Sequence, residues 1–302
     1  MKLLDLRGCF SGFQNLILQV STFNFVIAHV KLRSIWKKIM NGSNLSNKKS
    51  GYFILLHSVA RRLLPKRFSD ARSRAAEARQ HRRYSNLPVD RVFSEIYQNK
   101  EWGSDEGRYY SGTGSHDPVI VAPYVQVVKA FLASFPDKPV LVDLGSGDFN
   151  VGRQFVDFAQ HYYACDIVAE LQEHNRNCFD FPNVEFLSLN AVEDSLPDGD
   201  IIFIRQVFQH LSNTHIQQVL EKCRKYPYWV ITEHLPDTPG FQPNADITAG
   251  CGIRVLFNSG VVLTAPPFNV TGFTVRLLCE VPEEYGGVIR TLLFERDALS
   301  TE

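Results

Sequence analysis

Between residues 118 and 296 the apolar positions alternate between two rhythms. PVLVDLG (139–145), YYACDIV (162–168), VEFLSLN (184–190), DIIFIRQ (200–206) and YWVITEH (228–234) are short, nearly continuous apolar runs, the pattern of strands covered on both faces. Between them, IVAPYVQVVKAFLASF (120–135), VGRQFVDFAQ (151–160) and AELQEHNRNCF (169–179) space their apolar residues as helices do. A further helix is predicted from Asn213 to about Tyr226, with Ser212 or Asn213 as its N-cap. Strands alternating with helices predict right-handed βαβ units and a parallel sheet. FTVRLLCEV (273–281) and VIRTLLFER (288–296) break the rhythm, because the loop joining them is too short for a crossover helix. They predict an antiparallel hairpin and a sheet with a reversed edge.

The first third of the chain reads differently. Residues 1–85 carry 17 Lys and Arg against three acids, a net of +14, which leaves 15 basic and 29 acidic residues in the remainder, a net of −14. A basic helical arm (1–85) thus precedes an acidic domain (86–302), whose segment 235–272 is long enough to be an insertion. YFILLHSVARRLLPKRF (52–68) has the pattern of a basic amphipathic helix, which either lies on anionic lipid or packs on its own domain. The apolar stretch 10–30 is interrupted by Gln14, Asn15, Gln19, Asn24 and His29. It falls short of a spanning helix and predicts at most peripheral membrane contact. No nucleic-acid partner is expected, since the arm lacks aromatic residues interleaved for base stacking. Six scattered cysteines without metal-ligand spacing predict no metal site and a reducing cytoplasm, with the inner face of the membrane as the place for any lipid contact.

The chemistry concentrates at VLVDLGSGDFNVG (140–152). Gly145 and Gly147 let the main chain approach a ligand without an intervening Cβ. Asp166 ends the second strand 21 residues after Gly145, where a carboxylate can accept both hydroxyl protons of a ribose; an alternative role is to cap the next helix. A dinucleotide fingerprint wants a third glycine where Asn150 stands, and Asp148 inside the turn would repel a pyrophosphate. A cationic or zwitterionic ligand would tolerate it.

Strand, DLGSGD turn, ribose acid and terminal hairpin together resemble the class I S-adenosylmethionine-dependent methyltransferases, over about residues 100–296. The resemblance implies a doubly wound, Rossmann-like α/β domain with a seven-stranded, mainly parallel sheet whose last strand is reversed. It places Asp143, Gly145, Gly147 and Asp148 under the methionine part of the cofactor, Asp166 at the ribose, and Asn190 and Ala191 at the adenine. Arg205 and Gln206, after the fourth strand, fall where relatives present residues to the methyl group. NKEWGSDEGRYYSGTGS (99–115), RQVFQHLSN (205–213) and 244–270 are further similar to a bacterial group associated with surface-polysaccharide gene clusters. That likeness implies a hydroxyl of a glycan or other small molecule as acceptor, with Trp102, Ser115, Arg254 and Asn269 binding it. Many members of the group have Asp where this chain has Gln206, and many wider relatives have Asp in place of Asn190. The general base then falls to His210, with Glu233, His234 and Asp246 behind it. A competing reading is a cofactor-binding or interaction protein that has lost its base; a nicotinamide oxidoreductase is disfavoured by Asp148, Asn150 and the hairpin.

Overall fold

The computed structural model describes residue 75 and residues 78–104, 109–283 and 287–298. The apolar stretch 10–30 and the amphipathic segment 52–68 lie outside the described residues. Among those described, no helix is long and apolar enough to cross a membrane.

Seven strands form one sheet: β1 (Val140–Leu144), β2 (His161–Asp166), β3 (Val184–Ser188), β4 (Ile201–Arg205), β5 (Tyr228–Leu235), β6 (Phe273–Pro282) and β7 (Val288–Arg296). Their order is β3-β2-β1-β4-β5-β7-β6. The first five are mutually parallel, and β7 runs antiparallel to both β5 and β6. The hairpin forms as the pattern predicts, but the reversed strand is not the edge. Burial explains the order: β7 hides Ile289, Thr291, Leu293 and Phe294, which suits an inner place, whereas β6 leaves Thr274, Val275, Arg276 and Leu277 exposed. A bulge between Leu277 and Cys279 interrupts the β6 ladder.

The helices are α1 (Val89–Gln98), α2 (Thr113–His116), α3 (Pro118–Leu132), α4 (Ala169–Cys178) and α5 (Asn213–Cys223). Successive strand residues supply opposite faces. Val142, Ile202, Ile204 and Ile231 pack with α1, α4 and α5, while Leu141, Phe203, Val230 and Leu293 pack with α3. Each fully buried aliphatic or aromatic side chain contributes about 1.5–3 kcal/mol. Asp117 caps α3 by accepting the Val119 N–H at 2.9 Å, and Ser212 caps α5 through the His215 N–H at 3.2 Å. Residues 78–84 are helical and close on the same face as α1, with Tyr84 3% exposed.

One predicted helix is absent. Residues 151–160 form two short 3₁₀ turns, Gly152–Gln154 and Val156–Phe158. These turns bury Gly152, Phe155 and Val156 against the sheet.

Candidate functional site

The site lies where β1, β2 and β4 end at their carboxyl termini, the place at which an open α/β sheet offers backbone groups to a ligand. Gly145 and Gly147 take φ of 77° and 56°, the left-handed region that favours glycine. A Cβ on Gly145 would stand 2.4 Å from Val207 Cγ2 and one on Gly147 2.4 Å from Ser111 Oγ. Phe149, also left-handed at 61°, anchors the exit of the turn by burying its ring among Tyr162, Phe179 and Phe186.

Asp166 closes the turn from the neighbouring strand. Its Oδ2 accepts the Gly147 N–H at 2.9 Å and its Oδ1 the Val168 N–H at 3.1 Å. Burial pushes this carboxyl up to about 6. Asp143, on β1, accepts the Tyr162 hydroxyl at 2.8 Å and is likewise pushed up to about 6 by burial. Arg205 faces the same cavity, about 30 Å³, lined by Ser115, Tyr124, Asp143, Gly145, Tyr162 and Arg205 among others. That volume holds a few waters. The guanidinium is partly buried, and the desolvation lowers its pKa; it donates to the Gly114 carbonyl at 2.6 Å and lies 5.0 Å over the Tyr124 ring.

The segment 109–116 covers the turn and is pinned by Asp148. Asp148 Oδ2 accepts the Ser111 N–H at 2.8 Å and pairs with His116 Nε2 at 2.6 Å, and Tyr110 stacks on His116 at 4.3 Å. Ser115 Oγ receives Arg205 Nη1 at 3.4 Å. Gln206 is left-handed at φ 56° and its amide oxygen accepts from Arg205 Nη1 at 3.3 Å, against Gly114. Asn190 Oδ1 accepts the Val192 N–H at 3.0 Å, and the neighbouring Ala191 carbonyl receives Lys222 Nζ at 3.1 Å.

The four base candidates separate sharply. Glu233 is 3% exposed and its two oxygens accept the Phe208 and Gln209 N–H groups at 3.1 and 3.0 Å. Burial pushes it up to about 8 against the opposing pull of Arg254. Asp246 caps α5, accepting the Asn213 N–H at 2.7 Å. His234 is buried beside Glu283, 3.7 Å from its carboxylate. His210 sits against Trp102, ring centroids 5.1 Å apart, with Nδ1 3.2 Å from the carbonyls of both Gly250 and Gly252. Those carbonyls only accept, so Nδ1 carries the proton and Nε2 keeps a lone pair, toward which the Gln209 amide nitrogen donates at 3.2 Å. Burial pushes His210 down to about 4, so the ring is neutral at pH 7.

Two expected acceptor contacts sit elsewhere. Arg254 is fully buried, donating to the carbonyls of Ala245, Phe208 and Leu211 and to Asn213 Oδ1 at 2.7–2.9 Å. It braces the turn after β4 from inside, with four of its five N–H donors held by protein acceptors. Asn269 is exposed at the end of the Ala265–Asn269 turn, outside the cavity lining. Two residues passed over in the sequence hold the glycine turn from α4: Asn175 Nδ2 donates to the Gly147 carbonyl at 2.8 Å and Gln172 Nε2 to Ser146 Oγ at 3.1 Å. Their spacing of three places both on one face of the helix, and no motif marks them. Among the described residues, no group of three His, Cys, Asp or Glu side chains is placed to hold a metal ion.

No family model and no curated protein matches the chain. Among solved structures it is similar to human N-acetylserotonin methyltransferase in complex with SAM, at 14% identity over 75% of this chain and 67% of that one, TM-score 0.43. It is similar to the Burkholderia thailandensis 1,6-didemethyltoxoflavin-N1-methyltransferase with bound 1,6-didemethyltoxoflavin and S-adenosylhomocysteine, at 15% identity over 70% and 88%, TM-score 0.46. It is also similar to an N-methyltransferase from Bradyrhizobium japonicum in complex with S-adenosylhomocysteine, at 10% identity over 66% and 98%, TM-score 0.45.

Proposed function

We propose that the chain transfers a methyl group from S-adenosylmethionine to a small-molecule acceptor, and that the acceptor atom is a hydroxyl oxygen of a carbohydrate or similar polyol. The observation that carries the cofactor is the pairing of a doubly left-handed glycine turn with Asp166, joined through the Gly147 N–H. The residues fit the ligand in three places. Arg205 and Asp143 present a cation and an acid to the two ends of an amino-acid zwitterion. Asp166 has lone pairs beyond the two already used, enough for ribose hydroxyls. Asn190 and Ala191 stand after β3, on the adenine side. The 3₁₀ turns after the glycines argue against a dinucleotide, because no α-helix begins there to face a pyrophosphate.

When bound, S-adenosylmethionine supplies an electrophilic methyl on a sulfonium. The chain's task is to align the acceptor, exclude water and take one proton. His210 is the base in this reading, since Glu233 and Asp246 are spent on backbone N–H groups and His234 faces Glu283. A neutral imidazole depressed to about 4 is a weak base. It suffices because the hydroxyl proton becomes strongly acidic as the new carbon–oxygen bond forms. Trp102, which packs on His210, Tyr97 and Phe93, is the ring this reading assigns to the sugar. The polyol acceptor rests on the bacterial-group resemblance alone.

A second reading, a cofactor-binding protein without turnover, is favoured by Gln206, whose amide is held by Arg205 rather than offered to a substrate. Calorimetric titration with S-adenosylhomocysteine, and with NADH in parallel, tests the cofactor. Micromolar binding of the first alone supports the proposal, and binding of NADH or of neither overturns it. An acceptor screen scored by S-adenosylhomocysteine release then separates turnover from binding alone.

A further inference from the structure

The loop that clamps His210 is itself clamped from behind. Gln80, in the helical stretch that ends the basic arm, inserts its amide between two glycines of the segment Thr248–Gly252. Gln80 Oε1 accepts the Gly252 N–H at 2.9 Å and Nε2 donates to the Thr248 carbonyl at 2.6 Å. A Cβ on Gly250 would stand 2.7 Å from Gln80 Cδ, and one on Gly252 2.6 Å from Gln80 Oε1, so glycine at both places makes the room. His81 Nδ1 adds a contact to Thr248 Oγ1 at 3.0 Å. On the other side, the carbonyls of the same two glycines hold His210 Nδ1 at 3.2 Å each, and the Gly250 N–H donates to the His210 carbonyl at 3.0 Å.

We propose that Gln80 is a positioning residue for His210: its amide fixes the loop whose carbonyls hold the proton on Nδ1, and so keeps the lone pair on Nε2, where an acceptor hydroxyl displaces the Gln209 amide N–H to deliver its proton. The catalytic half of this statement rests on the methyltransferase reading; the geometric half does not. The physical chain is short. The tautomer of a neutral imidazole follows the hydrogen bonds offered to each nitrogen. The two carbonyls at Nδ1 favour the Nδ1–H form while they stay in place, and Gln80 anchors the Thr248 carbonyl that precedes them and the Gly252 N–H that lies between them. A loop with glycines at two of five positions has little stiffness of its own.

The test uses the full-length chain labelled with ¹⁵N-histidine. Long-range ¹H–¹⁵N spectra report which ring nitrogen carries the proton, and the signals of His210 are identified by their loss in His210→Gln. Wild type shows a single Nδ1–H form. Gln80→Ala removes both anchors; Gln80→Glu keeps the acceptor for Gly252 but turns an oxygen toward the Thr248 carbonyl, and it decides the matter if the alanine variant does not fold. In either, the signals move toward a mixture of tautomers, S-adenosylhomocysteine affinity stays within twofold of wild type, and acceptor turnover falls by about tenfold, short of the 10²–10⁴ lost with a base itself. Unchanged His210 signals in a folded variant overturn the proposal and leave Gln80 a packing residue. If wild type binds no S-adenosylhomocysteine, the methyltransferase reading fails, and the tautomer result still decides whether Gln80 sets the His210 ring.

Discussion

Replacing Asp166 with asparagine preserves the shape of the side chain and removes its charge. In the folded chain the carboxylate holds the Gly147 and Val168 N–H groups at 2.9 and 3.1 Å, one on each oxygen. Asparagine has a single oxygen, so one of those donors meets an NH₂ group, and a ribose hydroxyl loses a charged acceptor. A hydrogen bond to a charged group contributes about 1.5–3 kcal/mol. At 1.4 kcal/mol per tenfold in Kd, S-adenosylhomocysteine binding should weaken by roughly 10- to 150-fold. Stability should move far less, because two effects oppose. One buried N–H loses its partner, while a carboxylate that burial and a nearby Asp148 hold at about 6 no longer has to be kept charged at neutral pH. Calorimetry with S-adenosylhomocysteine and a thermal melt on the same preparation measure both quantities. Affinity within twofold of wild type would refute the ribose assignment. Lost affinity together with a collapsed melting temperature would mean that Asp166 only braces the turn.

Other perturbations probe the frame around the site. Gly145→Ala forces a Cβ to 2.4 Å from Val207 Cγ2 at a φ of 77°; it should cost about 1–3 kcal/mol and abolish cofactor binding, and Val207→Ala in the same chain should recover part of both, as melts and calorimetry will show. Arg254→Met strips four acceptors of a buried guanidinium and leaves Glu233 without its cation; a loss of about 3–5 kcal/mol should lower the melting temperature by roughly 6–20 °C. Glu233 is raised from 4.5 to about 8 by burial, so the folded chain binds its proton more tightly than the unfolded one. Its contribution to stability is therefore complete below about pH 4.5 and is lost as pH rises through 8, at up to about 1.4 kcal/mol per pH unit. Melting temperatures from pH 5 to 8.5 should fall less steeply in Glu233→Gln than in wild type, and parallel slopes would show that Glu233 titrates normally.

The strands, the glycine turn and the place of Asp166 at the end of β2 were legible because each is a local pattern: apolar runs of strand length, two glycines after an acid, an acid closing an apolar run. The inner place of β7 was not, since a hairpin fixes pairing but not which partner meets β5; the alternating burial of Ile289, Thr291 and Leu293 decided that. Residues 152–158 keep the apolar spacing of a helix yet form 3₁₀ turns, since that spacing marks which residues face the core and does not separate the two kinds of helix. Charged residues misled most. Arg254 and Glu233 looked like ligand and base by type and position, but their partners lie 20 or more residues away in the turn after β4, and only the fold brings them together. Asn175 and Gln172 carry no motif, and their role rests on one face of α4 meeting the glycine turn.

The reversal of β7 decides where the chain can be handled. Val288 stands opposite Leu235 at the carboxyl end of β5, beside the site, whereas Glu295 stands opposite Tyr228 at its beginning, and the Arg296 N–H reaches the Pro227 carbonyl at 2.9 Å. Nine residues of strand separate those ends, about 30 Å. A purification tag, a fluorophore or a surface linker placed after Asp297 is therefore carried on the side of the sheet away from the cleft. Immobilisation through that end should leave cofactor and acceptor free to enter, and makes the carboxyl side of the chain the better handle for binding assays.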